Sequence, residues 1–127
     1  MTTPSRPLSP HLQIYRFTIT MAMSIAHRIT GVANYIGTVF LVLWLASAAI
    51  GPDTFAWVNA FYGNPIGQLV MFGYTWSLIH HMLGGIRHFV WDSIHGLDHP
   101  ARNGIAWANV IGSVVLTLAV WAVFVWR

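Results

Sequence analysis

The sequence predicts an all-α membrane protein with three transmembrane helices, and its composition and charge pattern support that prediction. Of the 127 residues, 56% are hydrophobic and only 7% are charged, whereas a soluble domain has about 25% charged residues. Residues 29–52, 54–86 and 103–126 contain no Asp, Glu, Lys or Arg. Each stretch supplies the roughly 20 apolar residues that a helix needs to cross a bilayer.

Turn residues bound the first two helices. A Gly-Pro-Asp turn at 51–53 ends the first helix, predicted over 22–49, and a Gly-Asn-Pro turn at 63–65 precedes the second, predicted over 65–92. Gly and Pro favour such turns and interrupt helices. The connecting residues 53–62 are rich in Phe, Trp and Tyr, which favour the headgroup level of a bilayer. They predict a short interfacial helix.

The third helix is predicted over 104–126. It follows a connection that begins at Gly96 and contains Pro100, and this turn chemistry separates it from the second helix. The chain is therefore divided into an N-terminal segment, 1–21, and a transmembrane domain, 22–127.

The arginines predict the direction of the helices. All six basic residues are Arg, and an excess of basic residues marks the cytoplasmic ends of membrane helices. Five of them precede or begin the first span or flank the second loop: Arg6, Arg16, Arg28, Arg87 and Arg102. The N-terminus and the second loop are therefore predicted to be cytoplasmic and the C-terminus to lie outside, although Arg127 stands at that end.

The composition also excludes several classes of protein and site. There is no Cys, so disulfides and thiolate metal sites are excluded. The net charge of +3 includes no run of basic residues that could follow a phosphate backbone, so nucleic-acid binding is not expected. The first twenty residues lack the apolar core of a signal peptide and the amphipathic pattern of a transit peptide, so neither is expected.

Histidines in the second span are the first candidate functional residues, because ionisable groups inside a membrane are costly. His81 and His88 lie two helical turns apart on one face, with Gly85 between them. A glycine there lets a flat macrocycle approach the helix, and a neutral imidazole suits haem iron, whereas zinc would need further ligands. The alternative is that His81 forms a hydrogen bond to a neighbouring helix.

The neighbours of His81 have their own expected roles. His80 points about 100° away on the helix and is predicted to be a packing or interhelical group. His88, near the cytoplasmic end, is at the right depth for a haem propionate or, alternatively, for interfacial water. Arg87 is expected to extend its guanidinium toward the headgroups.

The start of the first span contains a second polar patch. Ser24, His27 and Arg28 are spaced by three and four residues and so share one face, and Met21 and Ile25 flank them. An arginine and a histidine there could neutralise propionates, and a serine hydroxyl with a guanidinium could bind a quinone carbonyl. The alternative is an ordinary helix start, with Ser24 as the cap.

Antiparallel helices would bring the two spans together at their cytoplasmic ends. Ser24, His27 and Arg28 are expected to lie in one interfacial layer with Arg87 and His88. His81 is expected two turns deeper in the membrane.

Three blocks of sequence together resemble the large cytochrome b membrane-anchor subunit of succinate dehydrogenase (respiratory complex II). The resemblance is to the alphaproteobacterial and mitochondrial type, and without a transit peptide it implies a bacterial inner membrane with a periplasmic C-terminus. The blocks are Arg6 to Tyr15 (RPLSPHLQIY), Ser24 to Gly31 (SIAHRITG) and His81 to Asp92 (HMLGGIRHFVWD).

The resemblance implies a haem-binding half-bundle. His81 matches the axial ligand of haem b and thus of its iron, and a histidine of a small membrane-anchor subunit would supply the opposite axial position. His27, Arg28 and His88 match the surroundings of the haem propionates.

The resemblance also implies a ubiquinone site, with Ser24 and Arg28 as its polar groups and Met21 and Ile25 in its wall. His80 adjoins the proposed ligand, so the choice between His80 and His81 rests on the family match.

The implied function is that of a subunit of an electron-transport enzyme in the tricarboxylic acid cycle. The chain would moor a flavoprotein subunit with FAD and an iron–sulfur subunit with three clusters, and ubiquinone would receive the electrons of succinate. The chain has no flavin fingerprint and no Cys for a cluster, so it contains no dehydrogenase chemistry of its own. The alternative is a purely structural anchor of a fumarate reductase-type complex. Association of complexes into trimers stays open.

Overall fold

The computed structural model describes residues 9–125, and every regular element in that part of the chain is helical. A short 3₁₀ helix precedes four α-helices, which confirms the predicted all-α class. The elements are the 3₁₀ helix Leu12–Ile14, α1 Ile19–Ile50, α2 Pro52–Gly63, α3 Pro65–Asp92 and α4 His99–Phe124.

Side-chain caps decide where the long helices begin. Thr18 accepts the amide of Met21 and starts α1 three residues before the predicted position. Asn64 accepts the amide of Gly67 at 2.9 Å and starts α3, whose bounds agree with the prediction. Such caps satisfy backbone N–H groups that have no partner within the helix. Ser24 lies inside α1, so its alternative role as the helix cap is wrong.

The remaining elements follow the same rules. Gly51, with a φ of 151°, ends α1, and Pro52 begins α2 immediately after it, so the short helix expected at 53–62 is present. Asp98 accepts the amide of Ala101 at 3.2 Å and starts α4, five residues before the predicted start.

Helix α3 packs between α1 and α4. Hydrogen bonds join Ser77 to Asn34 and His81 to Thr30, so α3 runs antiparallel to α1. Bonds from α3 to Ser113 and Trp121 likewise make α3 antiparallel to α4. Helix α2 contacts α1 and α3 at the end where those two helices are joined.

The interior of the bundle is polar, and its exterior is apolar. Among the described residues, only Met23, Ala106 and Trp121 are buried hydrophobic residues. Small polar residues at helix contacts and an apolar surface are typical of membrane bundles. The buried polar residues are Thr30, Ser47, Ser77, His80, Arg87, Asn109, Ser113 and Thr117.

Two described helices, α1 and α4, have the length and hydropathy of a membrane span. Helix α3 has the predicted bounds and 28 residues, but its sequence includes three histidines and an arginine. The described fold is therefore all-helical with two helices that are long and apolar enough to cross a membrane, and the predicted third transmembrane helix is not confirmed.

Candidate functional site

His81 lies at the crossing of α1 and α3, where one ring nitrogen is held by α1. Its Nδ1 is 3.1 Å from the carbonyl oxygen of His27 and 3.3 Å from Oγ1 of Thr30. A carbonyl oxygen can only accept a hydrogen bond, so Nδ1 carries the proton. The lone pair of this ring is consequently on Nε2, which forms no hydrogen bond to the described residues.

The ring of His27 stacks directly on the ring of His81. The two ring centroids are 3.9 Å apart and the planes differ by 7°. The prediction that His81 lies two turns deeper than His27 is therefore wrong. His27 of α1 faces Gly84 of α3, which is only one turn from His81. The Nδ1 atom of His27 is buried and has no hydrogen-bond partner among the described residues.

Two glycines make room for these imidazoles. A Cβ at Gly84 would overlap the ring of His27, and a Cβ at Gly31 would lie 3.1 Å from Cε1 of His81. At Gly85, by contrast, a Cβ would meet no atom within 4 Å. Gly84 thus admits α1 to the α3 surface, while the Gly85 position is open to groups outside the chain.

His88 lies one turn further toward the end of α3 and is exposed. Its Nδ1 donates to the carbonyl oxygen of Gly84 at 2.7 Å, and its ring centroid is 5.4 Å from that of His27. The structure thus brings His27, His81 and His88 together in one histidine cluster.

The remaining residues of the first-span patch lie beside this cluster on the outer surface of α1. Nη2 of Arg28 donates to Oγ of Ser24 at 3.1 Å, and both side chains are exposed. Met21 and Ile25 next to them are 39% and 46% exposed. His27, however, faces α3, so the patch is divided between a surface pair and an interface histidine.

His80 faces the opposite helix, α4. It is 2% exposed, and its Nδ1 is 3.2 Å from Oγ of Ser113. Asn109 donates to the His80 carbonyl oxygen at 3.3 Å. The interhelical role predicted for His80 is confirmed.

Arg87 does not extend to the headgroups. It is 3% exposed, and its guanidinium carbon lies 5.1 Å from the ring centroid of Trp91. Its Nε and Nη1 are buried and have no hydrogen-bond partner within residues 9–125. The expected extended position is wrong because Arg87 shares the α4-facing side of α3 with His80, and the aromatic ring covers the charge.

The histidine cluster fits a haem better than a metal ion held by side chains alone. Within the described part of the chain, no three His, Asp or Glu residues are arranged to hold a metal ion. A haem needs only one imidazole from this chain if a second comes from outside it. His81 offers such a nitrogen, because its Nδ1 is fixed by α1 and a metal-bound histidine usually donates its other N–H in this way.

An apolar cavity of about 340 Å³ lies between α1, α2 and α3, at the other end of the bundle from the histidine cluster. Three polar side chains in its wall form hydrogen bonds: Tyr62 donates to the Phe40 carbonyl oxygen at 2.9 Å, and Trp44 donates to Asn59 at 3.4 Å. It therefore offers no polar chemistry comparable to that of the histidine cluster.

Sequence reasoning did not single out Thr30, Gly31 or Gly84. Thr30 and Gly31 lie within the same short block as Ser24, and Gly84 precedes Gly85. A signal for them existed in the spacing, because Thr30 is three residues after His27. The choice between the two adjacent glycines required knowledge of which face of α3 meets α1.

Comparisons with known proteins agree on one family. A family model described as "Succinate dehydrogenase/Fumarate reductase transmembrane subunit" matches residues 2–120. The succinate dehydrogenase cytochrome b556 subunit of Paracoccus denitrificans is 38% identical, covering 94% of this chain and 92% of the relative. That of Rickettsia felis is 35% identical, covering 91% and 90%. The mitochondrial cytochrome b560 subunit of Bos taurus is 36% identical, covering 91% and 72%.

Proposed function

The chain belongs to the succinate dehydrogenase/fumarate reductase transmembrane subunit family, and we propose that it holds haem b and helps to bind ubiquinone in a succinate:quinone oxidoreductase. The family predicted from three sequence blocks is thereby confirmed, and its members are membrane anchors of complex II. The flavoprotein and iron–sulfur subunits would supply FAD and the clusters, and a small membrane-anchor subunit would complete the bundle.

In this proposal α3 also spans the membrane, which gives three transmembrane helices with α1 and α4. Its 28 residues give a length of about 42 Å, enough for a hydrocarbon core of about 30 Å. Its polar residues Ser77, His80 and Arg87 are buried against other helices, while Met82 and Ile86 are about half exposed. Burial of the polar face explains how a helix of moderate hydropathy can lie in lipid.

The arginine distribution supports an orientation in a bacterial inner membrane. The N-terminus and the α3–α4 connection would be cytoplasmic and the C-terminus periplasmic. Helix α2 would then lie at the periplasmic interface, since it joins the end of α1 to the start of α3, and both lie away from the cytoplasmic side. The histidine cluster and the Ser24–Arg28 pair would lie on the cytoplasmic side, where the electron-donating subunits would dock.

The observation that carries the haem proposal is that Nε2 of His81 forms no hydrogen bond to the described residues, while Nδ1 is bonded to α1. His81 would hold the haem iron through Nε2, together with a histidine of the small anchor subunit. His88 and Arg28 would neutralise propionates, and His27 would support the ring of His81 by stacking on it at 3.9 Å. Haem b, when bound, supplies a centre that takes up and releases single electrons.

The Ser24–Arg28 pair supports the ubiquinone proposal. Both side chains are exposed on α1, with Nη2 of Arg28 3.1 Å from Oγ of Ser24. Met21 and Ile25 provide apolar surface beside them. The serine hydroxyl can donate to a quinone carbonyl, and the guanidinium can stabilise the negative charge that develops on that oxygen during reduction. Other groups of the site would come from the partner subunits.

The haem proposal is tested by replacing each of the two adjacent histidines in the intact complex. His81→Ala should abolish or distort the b-type band in the reduced-minus-oxidised spectrum, because it removes the iron ligand. His80→Ala is the matched control and should keep the band, since His80 faces α4. An unchanged band in His81→Ala, or its loss only in His80→Ala, would overturn the assignment.

A purely structural anchor in a fumarate reductase-type complex is the second candidate function. It is favoured only by the general polar packing that His81 shares with other membrane-bundle residues. The absence of a b-type band from the purified wild-type complex would support it.

A further inference from the structure

Thr30 is a buried residue of α1 that lies next to Nδ1 of His81. Its side chain is 2% exposed, and its hydroxyl oxygen lies 3.3 Å from His81 Nδ1. The same oxygen is 2.9 Å from the carbonyl of Ala26 and 3.0 Å from that of His27. The hydroxyl thus has three polar neighbours, two of which are acceptors only.

The direction of these hydrogen bonds follows from counting hydrogens. A threonine hydroxyl has one hydrogen, and the two backbone carbonyl oxygens three and four residues earlier compete for it. The oxygen therefore presents a lone pair to His81. Nδ1 of His81 faces two acceptors, Thr30 Oγ1 and the His27 carbonyl oxygen, which together hold its proton in place.

Thr30 lies where α1 packs against α3. The Ser77 hydroxyl of α3 has one hydrogen, and its oxygen lies 2.7 Å from Asn34 Oδ1 and 3.1 Å from the Thr30 carbonyl oxygen. Gly31 lies against the ring of His81, and the ring of His27 covers one face of the His81 ring. Thr30 and His81 are therefore held together at the contact between α1 and α3.

We infer that Thr30 is a positioning residue for His81, fixing its tautomer and increasing the electron density that Nε2 offers to a bound metal. This inference rests on the proposed function, in which Nε2 binds haem iron. Hydrogen bonding at the far nitrogen raises the basicity of a histidine ligand, and more electron donation to haem iron favours its oxidised form. Thr30 should thus lower the reduction potential of the haem.

The test is a redox titration of the b-type band in the whole complex. Thr30→Val replaces the hydroxyl with a methyl group of similar size and should move the midpoint potential in the positive direction. Thr30→Ser keeps the hydroxyl and should restore the wild-type value. Thr38→Val is the matched control, because Thr38 forms the same bond within α1, to Asn34 O at 2.8 Å, but is exposed and distant from His81.

The outcomes separate this inference from the haem proposal. No b-type band in the wild-type complex would overturn the haem proposal itself. If the wild-type complex has the band, an unchanged midpoint potential in Thr30→Val would overturn the role of Thr30. A shift in Thr30→Ser or Thr38→Val equal to that in Thr30→Val would overturn it as well. Loss of the band in Thr30→Val, with retention in Thr30→Ser and Thr38→Val, would support it. If Thr30→Val does not assemble, Thr30→Ala against Thr30→Ser gives the same contrast.

Discussion

The two sides of α3 differ in how they hold their buried polar groups. On the α1 side, Ser77 donates to Asn34 at 2.7 Å, and His81 Nδ1 is bonded to the His27 carbonyl oxygen at 3.1 Å. On the α4 side, His80 Nε2 and Asn109 Oδ1 are buried without a hydrogen-bond partner among the described residues. On the α1 side, Nδ1 of His27 is also buried without a partner among residues 9–125. The two interfaces therefore differ in exposure, because His80 is 2% exposed whereas His81 is only partly buried.

The difference shows how adjacent histidines acquire separate roles. His80 and His81 have the same chemistry, but a rotation of about 100° directs one to α4 and the other to α1. On the α1 side, hydrogen bonds fix Nδ1 of His81 and leave its Nε2 available to a ligand. On the α4 side, Ser113 and Asn109 surround a fully buried ring, which suits packing rather than ligand binding.

The largest expected effect comes from closing the space between α1 and α3. Gly84→Ala would place a methyl group in the ring of His27, and such overpacking typically costs about 1–3 kcal/mol. The complex should melt at a lower temperature and lose the haem band. Gly73→Ala is the matched control in the same helix, since a Cβ at that position would meet no atom within 4 Å and Gly73 lies away from the histidine cluster. An unaltered melting temperature and band in Gly84→Ala would contradict the packing described here.

Local sequence signals predicted the helices where caps and turns are explicit. The bounds of α3 agree with the prediction because Asn64 and Pro65 start the helix unambiguously. The start of α1 was placed three residues late because the cap is Thr18, not a residue closer to Ser24. The predicted start of α4 at Gly104 is five residues late, because the Asp98 cap starts that helix at His99.

The candidate site was predicted only as far as one helix determines it. Spacing placed His81, Gly85 and His88 on one side of α3, but it could not show that His27 stacks on His81. That contact depends on how closely two helices approach, which Gly84 controls. The expected position of Arg87 is wrong for the same reason, since its burial to 3% exposure depends on what packs over its side of α3.

Arg28 provides an intermediate effect because it lies outside both interfaces. Arg28→Leu removes a donor from the exposed Ser24–Arg28 pair, so quinone reductase activity should fall by at least about tenfold, equivalent to ~1.4 kcal/mol. Succinate oxidation by a soluble dye should persist. Arg16→Leu, another exposed arginine near the start of α1, should have a smaller effect. Equal losses with quinone and dye would show that Arg28 acts on assembly instead.

The smallest expected effect compares asparagines on the two sides of α3. Asn34→Ala removes an acceptor of the Ser77 hydroxyl and should destabilise the complex by about 0.6 kcal/mol, the mean for polar contacts in membrane bundles. Asn109→Ala loses a 3.3 Å bond to the His80 carbonyl oxygen but also removes a buried oxygen that has no hydrogen-bond partner among the described residues. These contributions offset each other, so its melting temperature should fall less than that of Asn34→Ala. A larger fall in Asn109→Ala would mean that its side-chain oxygen is bonded in the assembled complex.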